Sequence, residues 1–222
     1  MKTLIRKLLK EQEEIITLPP FHYFDNDWNL VLELSEGKPF KILGNVSLRG
    51  NQEITTLGNC YAVGGWLDLY KCENLQSLGN LTEVGGHLNL FECQNLQSLG
   101  NLTEVGGWLN LENCTNLESL GNLTEVGGRL NLYWCTNLKS LGNLTKVGYN
   151  LFLENCTNLE SLGNLTEVGG LLDLFWCTNL QSLGNLTEVG GHLDLRNTPI
   201  ADKITKDEIR QQVNVGGNIF FQ

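Results

Sequence analysis

The chain has 222 residues, 41% of them apolar, enough for one large domain with a sizeable core. Its 25 glycines against 4 prolines point to many tight turns rather than to a disordered chain. A net charge of −10 with no local basic patch argues against a nucleic-acid partner and favours a soluble, monomeric state.

The chain opens MKTLIRKLLKEQEE. Arg6, Lys7 and Lys10 interrupt the apolar run that a secretory signal needs, and no stretch reaches the roughly 20 apolar residues of a membrane span. A cytoplasmic location without a membrane partner is the expectation. Leu4, Ile5, Leu8, Leu9 and Ile15 alternate with charges and predict an amphipathic helix over residues 1–16, ended by Pro19-Pro20. Asn29–Leu34 (NLVLEL) predicts a short strand. Residues 1–39 thus form an N-terminal cap.

From about residue 40 one 21-residue unit recurs. Valines stand at 63, 84, 105, 126, 147, 168 and 189, and the segment from Val84 reads VGGHLNLFECQNLQSLGNLTE. A degenerate unit begins near Ile42, with Val46 and Leu48 in the leucine phases, and a last VGG at Val215 comes after about five inserted residues. Roughly nine coils result. Val84, Leu88, Leu90, Cys93, Leu96, Leu99 and Leu102 mark the apolar columns of one coil. Leu88 and Leu90 alternate with polar neighbours, as in a half-buried strand. The unit is too short for a strand, a helix and two loops, so each coil is expected to hold one short strand plus extended segments and turns. Gly85-Gly86 and Gly100-Asn101 are candidate corners with positive φ. Stacked coils pair in parallel at about 4.8 Å, and each buries its leucines only against its neighbours.

The segment LxLxxCxNLxSLGNL resembles a short leucine-rich repeat in which cysteine takes the usual asparagine position. NLxSLGNLTEVGGxLxL is similar to the coils of receptor L-type domains, and similar repeats occur in uncharacterised bacterial and phage proteins. The resemblance covers residues 60–200. It implies a mainly β fold: a single right-handed leucine-rich-repeat-like β-solenoid, with residues 40–200 as the stack. The VGGxL spacing, one residue longer than LxxL, leaves open whether the cross-section is a horseshoe or a straight prism. Residues 201–222 form the C-terminal cap. There Thr205–Glu208 is a capping-box pattern that predicts a helix of about eight residues, with a strand after it over Asn218–Phe221.

Stacking sets like residues in lines, which bears on every candidate for chemistry. Cys72, Cys93, Cys114, Cys135, Cys156 and Cys177 share one phase and predict a buried column of free thiols, while Cys60 stands in the phase of Leu81 as a core substitute. A straight ladder cannot give the tetrahedral convergence of a zinc site. His87 and His192 share a phase five coils apart, so no metal, no cofactor and no catalytic set is expected. The NLT triplets beginning at Asn80, Asn101, Asn122, Asn143, Asn164 and Asn185 read as stacked turns rather than glycosylation sites. Glu83, Glu104, Glu125, Lys146, Glu167 and Glu188 form an exposed column whose like charges Lys146 relieves.

The outward strand positions are the ones that vary between coils. Trp66, His87, Trp108 and Arg129 precede the first strand leucine, Phe152 stands between two leucines, and Tyr70, Phe91, Tyr133 and Phe175 come after the second. Trp134 and Trp176 are next in sequence. Cross-strand stacking, with a cation–π contact between Trp108 and Arg129, is one reading of this face. The favoured reading is a binding surface, because contiguous exposed aromatics mark interaction sites. The expected function is a non-enzymatic protein-binding or scaffold module, with a structural assembly or virion component and a carbohydrate-binding module as alternatives.

Overall fold

The structure is a computed structural model that describes residues 15–221. The helix expected over residues 1–16 lies outside the described residues except at its end, where Ile16 already opens a strand (Ile16–Leu18) paired in parallel with Phe40–Ile42.

From there the chain winds through parallel coils, in register after one shift at the start, where Phe40 pairs with Cys60 but Lys41 with Ala62. Each coil gives one two-residue strand to a 9-stranded sheet, Leu88–Asn89 pairing with Leu109–Asn110. The extended segment ahead of the glycine pair joins a second, 10-stranded sheet, Glu83–Val84 pairing with Glu104–Val105. Isolated parallel bridges such as Ser98↔Ser119 and Ser119↔Ser140 add a third line of contact between coils. The repeated valine, leucine and cysteine columns point inward and are buried, Val84 through Leu102 fully so, with Leu183 near the C-terminal end only partly covered. They form one continuous core along the stack.

Polar ladders run beside this core. The Cys93 thiol donates to the Leu69 carbonyl of the preceding coil at 3.1 Å, and Cys114, Cys135, Cys156 and Cys177 repeat the bond. Each thiol thus satisfies a carbonyl that also receives its own coil's cysteine N–H, as Leu69 does from Cys72. The Thr103 hydroxyl donates to the Thr82 carbonyl at 2.9 Å, and the same bond recurs to Thr187. In the charged column Lys146 pairs with Glu167 at 3.0 Å.

Gly100 has the expected positive φ of 59°, but Gly85, Gly86 and Asn101 do not. The glycine pair answers to a different demand, which is close stacking. A Cβ on Gly85 would lie 2.5 Å from the Gly64 carbonyl oxygen of the coil below. The second left-handed corner falls instead just before each column cysteine, at Lys71, Glu92, Asn113, Trp134, Asn155 and Trp176, and before Thr198, which takes the cysteine's place, at Asn197.

The caps differ in how closely they match expectation. Asn29–Leu34 is no strand; it belongs to a helix, Trp28–Ser35. Asp27 sets this helix by accepting from the N–H groups of Asn29 and Leu30, and it buries Trp28, Leu30, Val31 and Leu34 on one side. Trp28 meets Phe21 and Phe40 with ring centroids 6.0 Å away in both cases. At the other end the capping box is present and starts a helix over Lys206–Gln212. That helix takes up the insertion, after which Val215 returns to register with Val189 and Ile219 with Leu193.

Candidate functional site: the variable face of the nine-stranded sheet

All of the variable strand positions sit on the outward side of the 9-stranded sheet or at its corner. Their rings do not form one uniform surface. Tyr70 stacks flat on Phe91, with centroids 5.1 Å apart and planes within 6°, and the Arg49 guanidinium covers the other Tyr70 face at 3.8 Å. Both ring faces of Tyr70 are therefore occupied by its neighbours. Farther along, Tyr133 leans on Phe152 at 5.2 Å and its hydroxyl donates to Asp173 at 3.5 Å. Burial, reinforced by the Asp173 and Glu154 carboxylates, pushes the Tyr133 phenol up to about 12. Burial also raises the carboxyl groups of Asp173 and Glu154. Arg196 chelates Asp194 and lies 5.0 Å from the Phe175 ring centre. These two clusters are closed, and they stabilise the sheet as cross-strand pairs do.

Between them the face opens. Trp108 stacks on His87, with centroids 5.1 Å apart and planes 24° from parallel. The expected partnership of Trp108 with Arg129 is absent, because the Arg129 guanidinium turns toward Phe152, 5.7 Å from that ring centre. The level above Trp108 is thus left unfilled. A groove of about 640 Å³ results, walled by Trp108 and Tyr149, floored by glycine pairs, and lined by Arg129, Asn110, Asn131 and Asn150. Its floor is bare backbone at Gly106 and Gly127, where a Cβ would lie 2.3 Å from the glycine carbonyl oxygen of the coil below.

Tyr149 is the residue that sequence reasoning missed. It replaces the second glycine of the VGG unit, lies outside the variable strand columns, and is 68% exposed. The substitution VGY for VGG was the available signal. Trp66 stands beside His87 in a smaller cleft and is 39% exposed.

The most exposed aromatics of the predicted set are Trp134 at 51% and Trp176 at 47%. They occupy the left-handed corner with φ of 61° and 59°, where three other coils carry asparagine. Trp176 also borders a cavity of about 390 Å³ against Pro199 and Ala201 at the C-terminal cap. Among the described residues no three His, Cys, Asp or Glu side chains converge as a metal site, and no helix is long and apolar enough to cross a membrane. No known protein family, curated protein or solved structure matches the chain.

Proposed function

We propose that this chain is a non-enzymatic recognition module that holds a protein partner against the variable face of its nine-stranded sheet. The carrying observation is the pair of half-exposed tryptophans at the left-handed corner. A bulky side chain at positive φ costs on the order of 1 kcal/mol relative to asparagine. The fold does not need that strain, because Asn113, Asn155 and Asn197 fill the same place in other coils. Tryptophan is also the residue that most often anchors protein interfaces.

Two further features support the reading. The side chains stand in lines rather than in converging sets, and burial keeps the thiols protonated, so among the described residues no cysteine is set up as a nucleophile. The cysteine-to-carbonyl ladder supports kinship with right-handed leucine-rich-repeat solenoids, and seven free thiols accord with a reducing, cytoplasmic setting.

The test is quantitative affinity capture from cells that make the protein. Wild-type bait is compared with the Trp134→Asn/Trp176→Asn double variant and with Glu118→Gln, away from this face. Candidate partners are then purified and titrated directly. A partner held by wild type and Glu118→Gln but bound at least about tenfold more weakly by the double variant is expected. Equal affinity for all three baits would show that the face is structural.

A further inference from the structure

In this solenoid the N–H of the residue preceding each strand of the nine-stranded sheet lies outside the sheet's own ladder. At several levels a side chain from the coil below accepts it. The Asn45 amide oxygen accepts from the Trp66 N–H at 3.0 Å, and His87 Nδ1 from the Trp108 N–H at 2.9 Å. Asn150 does the same for Leu171 at 2.9 Å and His192 for Asn218 at 2.8 Å. Trp108 and Arg129 have no acceptor to offer. Trp66 and Leu171 offer none either, so the N–H groups of His87, Arg129, Asn150 and His192 are left without a partner among the described residues; those of Arg129 and Asn150 fall in two consecutive coils at the groove.

The side chains around them share this bias. Arg129 has no carboxylate partner among the described residues, and no Asp or Glu lines the groove. The side-chain amide oxygens each already accept one bond. Asn110 accepts from the Glu112 N–H at 3.1 Å, Asn131 from the Tyr133 N–H at 3.0 Å, and Asn150 from the Leu171 N–H. The Asn110 amide nitrogen makes no bond to any described residue. The Arg129 side chain lines the groove with its guanidinium resting toward Phe152, and beside it two backbone N–H groups and the Asn110 and Asn150 amide nitrogens are all donors without a described partner.

From this one-sided set we infer that the groove receives the carboxylate of a glutamate or aspartate in an acidic segment of a protein partner, with its aliphatic stem between Trp108 and Tyr149. A carboxylate only accepts and carries the opposite charge to Arg129, so it suits a site that offers a cation and several unpartnered N–H groups. A neutral sugar would leave the Arg129 charge, which has no carboxylate partner among the described residues, unmatched. A phosphate dianion would bring a second charge to one arginine on a chain of net charge −10. Trp108 and Tyr149 are offset by two coils, about 9.6 Å at the usual strand spacing, which admits an extended side chain. The inference rests on the proposed role as a protein-recognition module and names the chemistry of what is recognised.

Amide NMR on isotope-labelled full-length protein tests it directly. The probe is acetyl-Gly-Glu-Gly-amide at millimolar concentration, against acetyl-Gly-Gln-Gly-amide, inorganic phosphate and an oligoglucuronate. The glutamate peptide is expected to move the Arg129 and Asn150 amides, and the glutamine peptide is not. Arg129→Gln should weaken binding by about tenfold or more, the loss of a charge-assisted bond. Tyr149→Gly restores the repeat's own residue and should weaken it by about threefold or more. Unmoved amides, or an equal response to the glutamine peptide, would overturn the inference. A response to phosphate or oligoglucuronate as strong as that to the glutamate peptide would overturn it as well. Trp134→Asn/Trp176→Asn should leave this titration unchanged, so its failure and the failure of partner capture are separate results.

Discussion

Two kinds of glycine stand in the same coil, and replacing each by alanine should cost very different amounts. Gly85 sits on the Gly64 carbonyl oxygen, where a Cβ would come within 2.5 Å instead of the 3.4 Å of ordinary contact. The coil must rise by close to the difference, on the order of 1 Å, and the clashing atom is backbone that cannot swing aside. The Gly85 and Gly86 N–H groups donate to Val63 and Gly65, both at 2.9 Å. Lifting them breaks those two bonds and loosens the packing beneath, for roughly 3 kcal/mol in all. Gly100 has φ of 59° and open space around its Cβ position, so Gly100→Ala carries only the left-handed penalty, about 1 kcal/mol. Equilibrium urea unfolding monitored by circular dichroism measures both. If Gly85→Ala costs no more than Gly100→Ala, close stacking is not what reserves the first position of the pair for glycine. The ladder already shows a mild form of the effect: the Tyr149 N–H reaches the Gly128 carbonyl at 3.1 Å, whereas the neighbouring Gly128 N–H reaches Gly107 at 2.9 Å.

The same geometry sets two further outcomes. Burial raises every thiol of the column, Cys72 to about 11, Cys177 to about 12, and Cys93, Cys114, Cys135 and Cys156 well above the ordinary thiol range, so the folded state keeps protons that the unfolded chain releases. Stability from this source is complete below the ordinary thiol range and is lost as pH rises through it, by up to about 1.4 kcal/mol per pH unit for each core thiol above about pH 8.5. Steep cooperative unfolding between pH 9 and 11 is expected by circular dichroism, and a flat profile there would contradict thiol burial. Trp134→Asn should raise the urea midpoint, by an amount equivalent to about 0.5–1 kcal/mol, while it weakens partner capture. A loss of stability would show that the Trp134 ring supports the fold.

Most of the architecture was legible because the repeat multiplies each signal. A column seen once is ambiguous, but Leu88 and Leu90 repeated down the chain identify a strand, and all of those leucines are buried. Legibility failed where the repeat stops or breaks. NLVLEL alternates like a strand, yet Asp27 caps it and Trp28, Val31 and Leu34 fall on one helical side. Glycine pairs read as corners because conformational freedom is the common reason for glycine, whereas here the neighbouring coil's carbonyl is the constraint. The candidate site was half visible. The aromatic columns were found, but their stacking into closed clusters depends on rotamers, and Arg129 chose Phe152 over Trp108. Tyr149 lies in the glycine pair, outside the variable strand columns, and the groove it walls is set by a level that stays empty.

The in-register ladder also turns the chain into a graduated ruler. Every coil advances by one tick of about 4.8 Å, so Trp134 and Trp176, two coils apart, are held about 9.6 Å from each other. Duplicating or deleting a whole unit between them would change that gap by one tick while leaving each side chain's neighbours of the same kind. Such events arise readily among near-identical stretches of coding sequence. A protein of this design can therefore retune the reach between its contact points in discrete steps, without inventing a new surface.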